Sequence, residues 1–288
     1  MRSRWRWPLR VVALGYLALL VVVPVGSVFF RAFEHGLAAA WDSVTTPDAL
    51  HALWLTLVVV LIAVPADTVF GVGVSLILAR HRFPGAWLLD ALVDIPLAVS
   101  PVVVGLALLL VYGRGGWFGN WLAAHGIQVV FSLPGIVMAS AAVALPYVVR
   151  EVLPVLQEVG TEQEQAAATL GAGPLATFRR VTLPSIRGGL TYGVVLTTAR
   201  VLGEFGAVAI VSGAIAGKTQ PLTLFIQNSV DNLDPVGAYA GSVILALFAL
   251  GVLAVLGGGR QGRRRRWRSP SGPSASGSAT PLLSTTSP

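Results

Sequence analysis

The sequence predicts an all-α, polytopic membrane protein with six transmembrane helices, and three observations carry that prediction. Of 288 residues, 55% are hydrophobic and only 11% charged, with a mean hydropathy of +0.75, whereas soluble domains carry about 25% charged residues. Six apolar runs recur along the chain, each near the ~20 residues a helix needs to cross a hydrocarbon core of about 30 Å. Sixteen of the 20 Lys and Arg fall at the termini and in connections that would share one side of the membrane. That is the bias of cytoplasmic segments, and it places both termini in the cytoplasm.

The first run, 9–30, begins among Arg2, Arg4, Arg6 and Arg10, with Trp5 and Trp7 as interface anchors. A secretory signal starts the same way, but its apolar core is about 7–15 residues and ends at a small-residue cleavage site; this run is longer and reads as a retained helix. Residues 31–50 form a polar outer loop, and 52–79 the second span, broken by Pro65 and carrying Asp67. A tight inner turn, 80–85, leads to the third span, 87–112. An outer loop, 113–130, and the fourth span, 131–149, follow. A long inner segment, 150–188, precedes the fifth span, 189–213, with Gly189 and Gly193 at a spacing that favours close helix packing. The outer loop 214–236 and the sixth span, 237–256, complete the bundle. By domain, 1–50 is a transmembrane helix and outer loop, 51–257 the core, and 258–288 a basic segment followed by a Ser/Pro/Gly-rich tail that cannot bury a core.

Several classes of function are excluded. With no cysteine and four scattered histidines, no metal site or cofactor is expected. The arginines at 260–268 stand just inside the last span, where they meet anionic lipid as a stop signal, so no nucleic-acid partner is expected. Residues 212–219 end in Gly-Lys-Thr but have Ser212 where a phosphate-binding loop needs glycine, with neither a preceding strand nor a following helix. The chain is therefore no ATPase of its own, and no constellation of nucleophile, base or paired carboxylates suggests catalysis.

The stretch from Thr161 to Pro184, TEQEQAAATLGAGPLATFRRVTLP, is polar and glycine-broken between apolar segments. Thr161 and Glu164 fit a capping box that starts a short helix over 165–170. Gly171 stops that helix, Pro174 opens a second one, and Pro184 ends it. Ala166, Ala167 and Leu170 make a narrow apolar strip suited to a partner's groove; composition alone also fits an ordinary loop with a helical turn. Inside the fifth span, Arg200 and Glu204 are four apart and share a face, which fits either an internal ion pair or the lining of a path.

Gln165-Ala166-Ala167 with Leu170-Gly171, and then Val181-Thr182-Leu183-Pro184, resemble the loop by which permeases of bacterial ABC importers dock on their ATP-binding subunit. Gln165 stands at the motif's acidic position, with Glu164 one place earlier. More narrowly, 94–105 (DIPLAVSPVVVG), 200–207 (RVLGEFGA), Ser212-Gly213 and Gly217-Lys218-Thr219 resemble the sulfate/thiosulfate permease subunits of the W type. The GEFGA element is also similar to molybdate and tungstate permeases.

The resemblance implies a type I ABC-importer permease in the bacterial cytoplasmic (inner) membrane. Its partners would be two copies of an ATP-binding subunit, a second permease subunit, an external sulfate-binding protein, and membrane lipid. ATPase coupling would fall to Glu164, Gln165, Ala166, Ala167, Leu170, Gly171 and Pro184. The translocation path or gate would involve Ser100, Arg200, Gly203, Glu204, Phe205 and Gly206. An ion-coupled secondary transporter, using Asp67 and Glu204 as a proton relay, and a scaffold or sensor without transport remain as other readings.

Overall fold

The computed structural model describes residues 6–258 and is helical nearly throughout, as lipid demands of a backbone that must satisfy its own polar groups. Helix α1 (Arg6–Leu17) passes through a π turn (Ala18–Val22) into α2 (Val23–Phe33), and α3 (Leu37–Val44) follows within the expected outer loop. Helix α4 (Pro47–Arg80) starts earlier than expected: Thr46 accepts the Ala49 amide at 3.3 Å, and Pro47 occupies the first turn. Its 34 residues span about 51 Å at 1.5 Å each, so one end stands clear of any 30 Å core.

Helices α5 (Ala86–Ala98) and α6 (Pro101–Tyr112) replace the straight third span, with a 113° bend between them. Pro101 explains the break, since its ring drives the residue before it out of the helical region; Ser100 is extended, with φ −59° and ψ 137°. After α7 (Gly119–Ala124), α8 (Leu133–Val159) runs ten residues beyond the expected end of the fourth span.

Helix α9 (Glu162–Thr169) and α10 (Pro174–Thr177) correspond to the two short helices expected there. Pro184, however, ends nothing. A second π turn (Phe178–Thr182) carries α10 into α11 (Leu183–Leu202), and the wide turn accommodates the proline ring that would clash in a regular ladder. The fifth span then breaks: α11 and α12 (Gly206–Ser212) meet at 54°. Helix α13 (Leu222–Asp231) lies in the last expected outer loop and α14 (Pro235–Gly258) ends the described residues. Among the described residues, four helices are long and apolar enough to cross a membrane, and the number rises to six if each bent pair is one span. Trp5, the arginines from 260 to 268 and the tail lie outside the described residues.

The core is the seam of α4, α8 and α11. Between membrane helices the hydrophobic effect gives little drive, so close contact must come from small residues. A methyl on Gly71 of α4 would lie 2.7 Å from Val148 Cβ, and one on Gly193 of α11 would lie 3.2 Å from Val148 Cα. Val148 of α8 thus sits fully buried between two glycines. Gly189 meets the Glu151 carbonyl in the same way, at 2.5 Å. A second cluster joins Leu55, Val59 and Ala63 of α4 to Ile136 and Val143 of α8, Val201 of α11 and Val208 of α12.

Candidate functional site

The two broken spans meet. A Cβ on Gly206 would lie 3.2 Å from Pro101 Cβ and 3.3 Å from the Val102 amide, and one on Gly105 would lie 2.7 Å from the Ala207 carbonyl oxygen. The break after α5 therefore packs directly on the break before α12. Irregular backbone at membrane depth is tolerated where it is buried in protein or lines a polar cavity, and discontinuous helices are where transporters build their sites.

Glu204 lies in that break, its side chain 1% exposed. Oε1 accepts the Ala207 amide at 2.8 Å and so caps the first turn of α12, while its backbone carbonyl accepts Thr223 Oγ1 at 3.0 Å. Oε2 stands 2.7 Å from Arg200 Nη1, close enough to pair yet outside hydrogen-bond alignment. Arg200 is 26% exposed and, among the described residues, makes no other ion pair or hydrogen bond. Most of its five N–H donors are therefore free. By helical rise it stands roughly 16 Å beyond Gly189, about half the depth of a hydrocarbon core.

Ser100, Gly203 and Phe205 are exposed at the two breaks, and Gly206 is half-buried. All six expected path residues thus gather at the two breaks. The hollow beside Glu204 holds about 10 Å³, room for one water molecule and far less than a tetrahedral oxyanion needs.

Asp67 is elsewhere, 3% exposed on α4, with no hydrogen-bond partner for Oδ2 among the described residues. Asp90 and Asp94, near the start of the third span, both pair with Arg150 across α5 and α8. A larger hollow of about 810 Å³ is lined by residues from Leu109 to Phe131, with Arg114 as its one charged lining residue and none of the expected site residues in its wall.

At the α9 end, an open groove of about 550 Å³ is lined by Ala166, Ala167, Leu170 and Pro184, with Arg180 and Arg187 among its other walls. Leu170 is 88% exposed. Gly171 takes φ +82°, the left-handed backbone that ends α9. The expected capping box does not form: Thr161 caps nothing and instead accepts Gln165 Nε2 at 3.1 Å. Glu164 is drawn away by stronger, charge-assisted bonds. Arg80, at the end of α4, donates Nε to Oε2 at 3.0 Å and Nη2 to Oε1 at 3.1 Å, and Thr182 Oγ1 adds a bond to Oε1 at 2.8 Å. The third nitrogen, Arg80 Nη1, donates to the Leu156 carbonyl at 3.0 Å. Sequence reasoning missed Arg80, which read only as one more inner charge.

Comparison with known proteins agrees with this architecture. The family described as "Binding-protein-dependent transport system inner membrane component" matches residues 71–264. A sulfate transport system permease protein CysW from Synechocystis sp. is 47% identical over 250 residues, 87% of this chain and 91% of that protein. CysW of Escherichia coli K12 is 45% identical, covering 85% and 84% of the two chains. The sulfate permease protein CysT of Salmonella typhimurium is 40% identical, covering 81% and 85%. The fold is shared with a bacterial ABC transporter for import of the acidic polysaccharide alginate, at a TM-score of 0.75 and 15% identity over 93% of this chain and 97% of that one. With most of its length matched by the family and by relatives above 40% identity, the chain belongs to the inner-membrane components of binding-protein-dependent transport systems.

Proposed function

We propose that this chain is a permease subunit of an ATP-driven importer of sulfate or thiosulfate. The single observation that carries the path is the meeting of the two broken spans, with a partly free guanidinium within the fifth apolar stretch beside it. An oxyanion needs a cation there, since a charge in hydrocarbon is costly unless paired, and Arg200 has donors to spare. The names of the relatives supply the oxyanion, and the higher identity to CysW than to CysT suggests a CysT-like second permease chain.

Two copies of an ATP-binding subunit and an external sulfate-binding protein complete the assembly, with both termini of this chain in the cytoplasm. Closure of the ATP-binding subunits on α9 would rock the helices between outward-open and inward-open states, and ATP hydrolysis stays with the partner.

The test is uptake of radiolabelled sulfate into cells lacking their own sulfate importer and supplied with the complete system. Sulfate uptake abolished by ATP depletion and competed by thiosulfate supports the proposal. Molybdate competing far better than thiosulfate would move the substrate to the larger oxyanions, and uptake that survives ATP depletion but not an uncoupler would overturn the mechanism.

A further inference from the structure

Three features at the α9 end bear on how force reaches the membrane helices. The chain on both sides of α9 is glycine in left-handed conformations, with Gly160 at φ +67° before it and Gly171 at φ +82° after it. Helix α9 itself has eight residues, none of them buried, and packs mainly against α10 and the π turn. A helix that short has little stability of its own, and glycine connections transmit little torque. The rigid link is Arg80, whose side chain is 13% exposed against 23% for Glu164.

We infer that Arg80 is the strut through which movement of α9 reaches the membrane bundle. Its planar fork takes both carboxylate oxygens of Glu164, a geometry lysine cannot reproduce. Its remaining nitrogen holds the Leu156 carbonyl, near the negative end of α8. One guanidinium therefore ties α9 to the ends of α4 and α8, and Thr182 brings in the π turn that leads to α11. These are the three helices of the core seam, so a push on α9 arrives where the packing is tightest. Arg80 is a positioning residue: it acts through Glu164 and the Leu156 carbonyl. The inference rests on the reading of α9 as the docking helix for the ATP-binding subunit.

The test uses the assembled importer in proteoliposomes, with substrate moved per ATP hydrolysed as the readout. The chain has no cysteine, so Arg80→Cys with Glu164→Cys can be bridged by a short, reducible bis-thiol cross-linker. Unbridged, the ratio is expected to fall about tenfold, a usual size for coupling between sites, while the ATP-binding subunit still co-purifies. Bridging restores the ratio and reduction abolishes it again. Arg80→Lys, which keeps the charge and loses the fork, falls between. Should the cysteine pair fail to accumulate, Glu164→Gln reads the same ratio.

An unchanged ratio, or a loss that bridging leaves in place, overturns the inference. Lost co-purification overturns it too, because the pair would then build the docking surface rather than transmit through it. The docking reading is checked apart from Arg80: Leu170→Asp must weaken co-purification, and full retention would sink that reading whatever the cysteine pair does.

Discussion

Two Arg–Glu pairs, chemically alike, are built in opposite ways in this molecule. Arg80 and Glu164 are 84 residues apart in the chain, and the carboxylate has both oxygens engaged, by the guanidinium fork and by Thr182. Arg200 and Glu204 are four apart, joined through a single nitrogen at 2.7 Å, with donors left over on the arginine. The first carboxylate is saturated and acts as a fastening. The second pair is incomplete, and under the proposed function it would be the one to exchange partners when an anion arrives. Satisfaction of hydrogen-bonding capacity, more than distance, is what sets the two pairs apart.

The largest test of that contrast is Arg200→Ala. It strands a carboxylate with 1% exposure, and breaking a buried pair costs about 3 kcal/mol or more. The variant should lose thermal stability in detergent together with uptake. Arg200→Ala combined with Glu204→Gln should recover part of the stability and none of the uptake. Recovery of both would reduce the pair to packing.

Next in size is Gly105→Ala. The new methyl would press on the Ala207 carbonyl at 2.7 Å, an overpacking cost of about 2 kcal/mol, and would pry apart the two breaks. Melting temperature and uptake should both fall, and a variant that melts as wild type yet transports poorly would place the effect in the path itself. The smallest is Gly171→Ala, where the space is open and only the left-handed backbone is strained, at about 1 kcal/mol. Folding should survive with a modest loss of coupled transport; full wild-type output would show that this glycine needs no left-handed turn.

Much of this architecture was legible in the residues, and the misses have physical causes. The long apolar runs and the arginine distribution point to six crossings because a bilayer reads little else. The 113° bend was signalled by Ser100-Pro101, yet apolar character continues through it, so hydropathy alone drew one straight span. Pro184 misled in the other direction: proline stops a regular helix, but a preceding π turn lets the helix run on. Glu164 looked like half of a capping box because its competitor, Arg80, is remote in sequence and adjacent only in space. Arg200 and Glu204 were found together because their spacing is local.

The π turn between Phe178 and Thr182 also sets a phase. An extra residue is accommodated there, so the same residues wound as a regular ladder would turn everything beyond them by about 100°. Gly189 and Gly193 would then face away from α8, and the guanidinium at position 200 would swing off the seam where the breaks meet. A single widened turn, well outside the apolar stretch, thereby aims the charge that sits deepest in the fifth crossing.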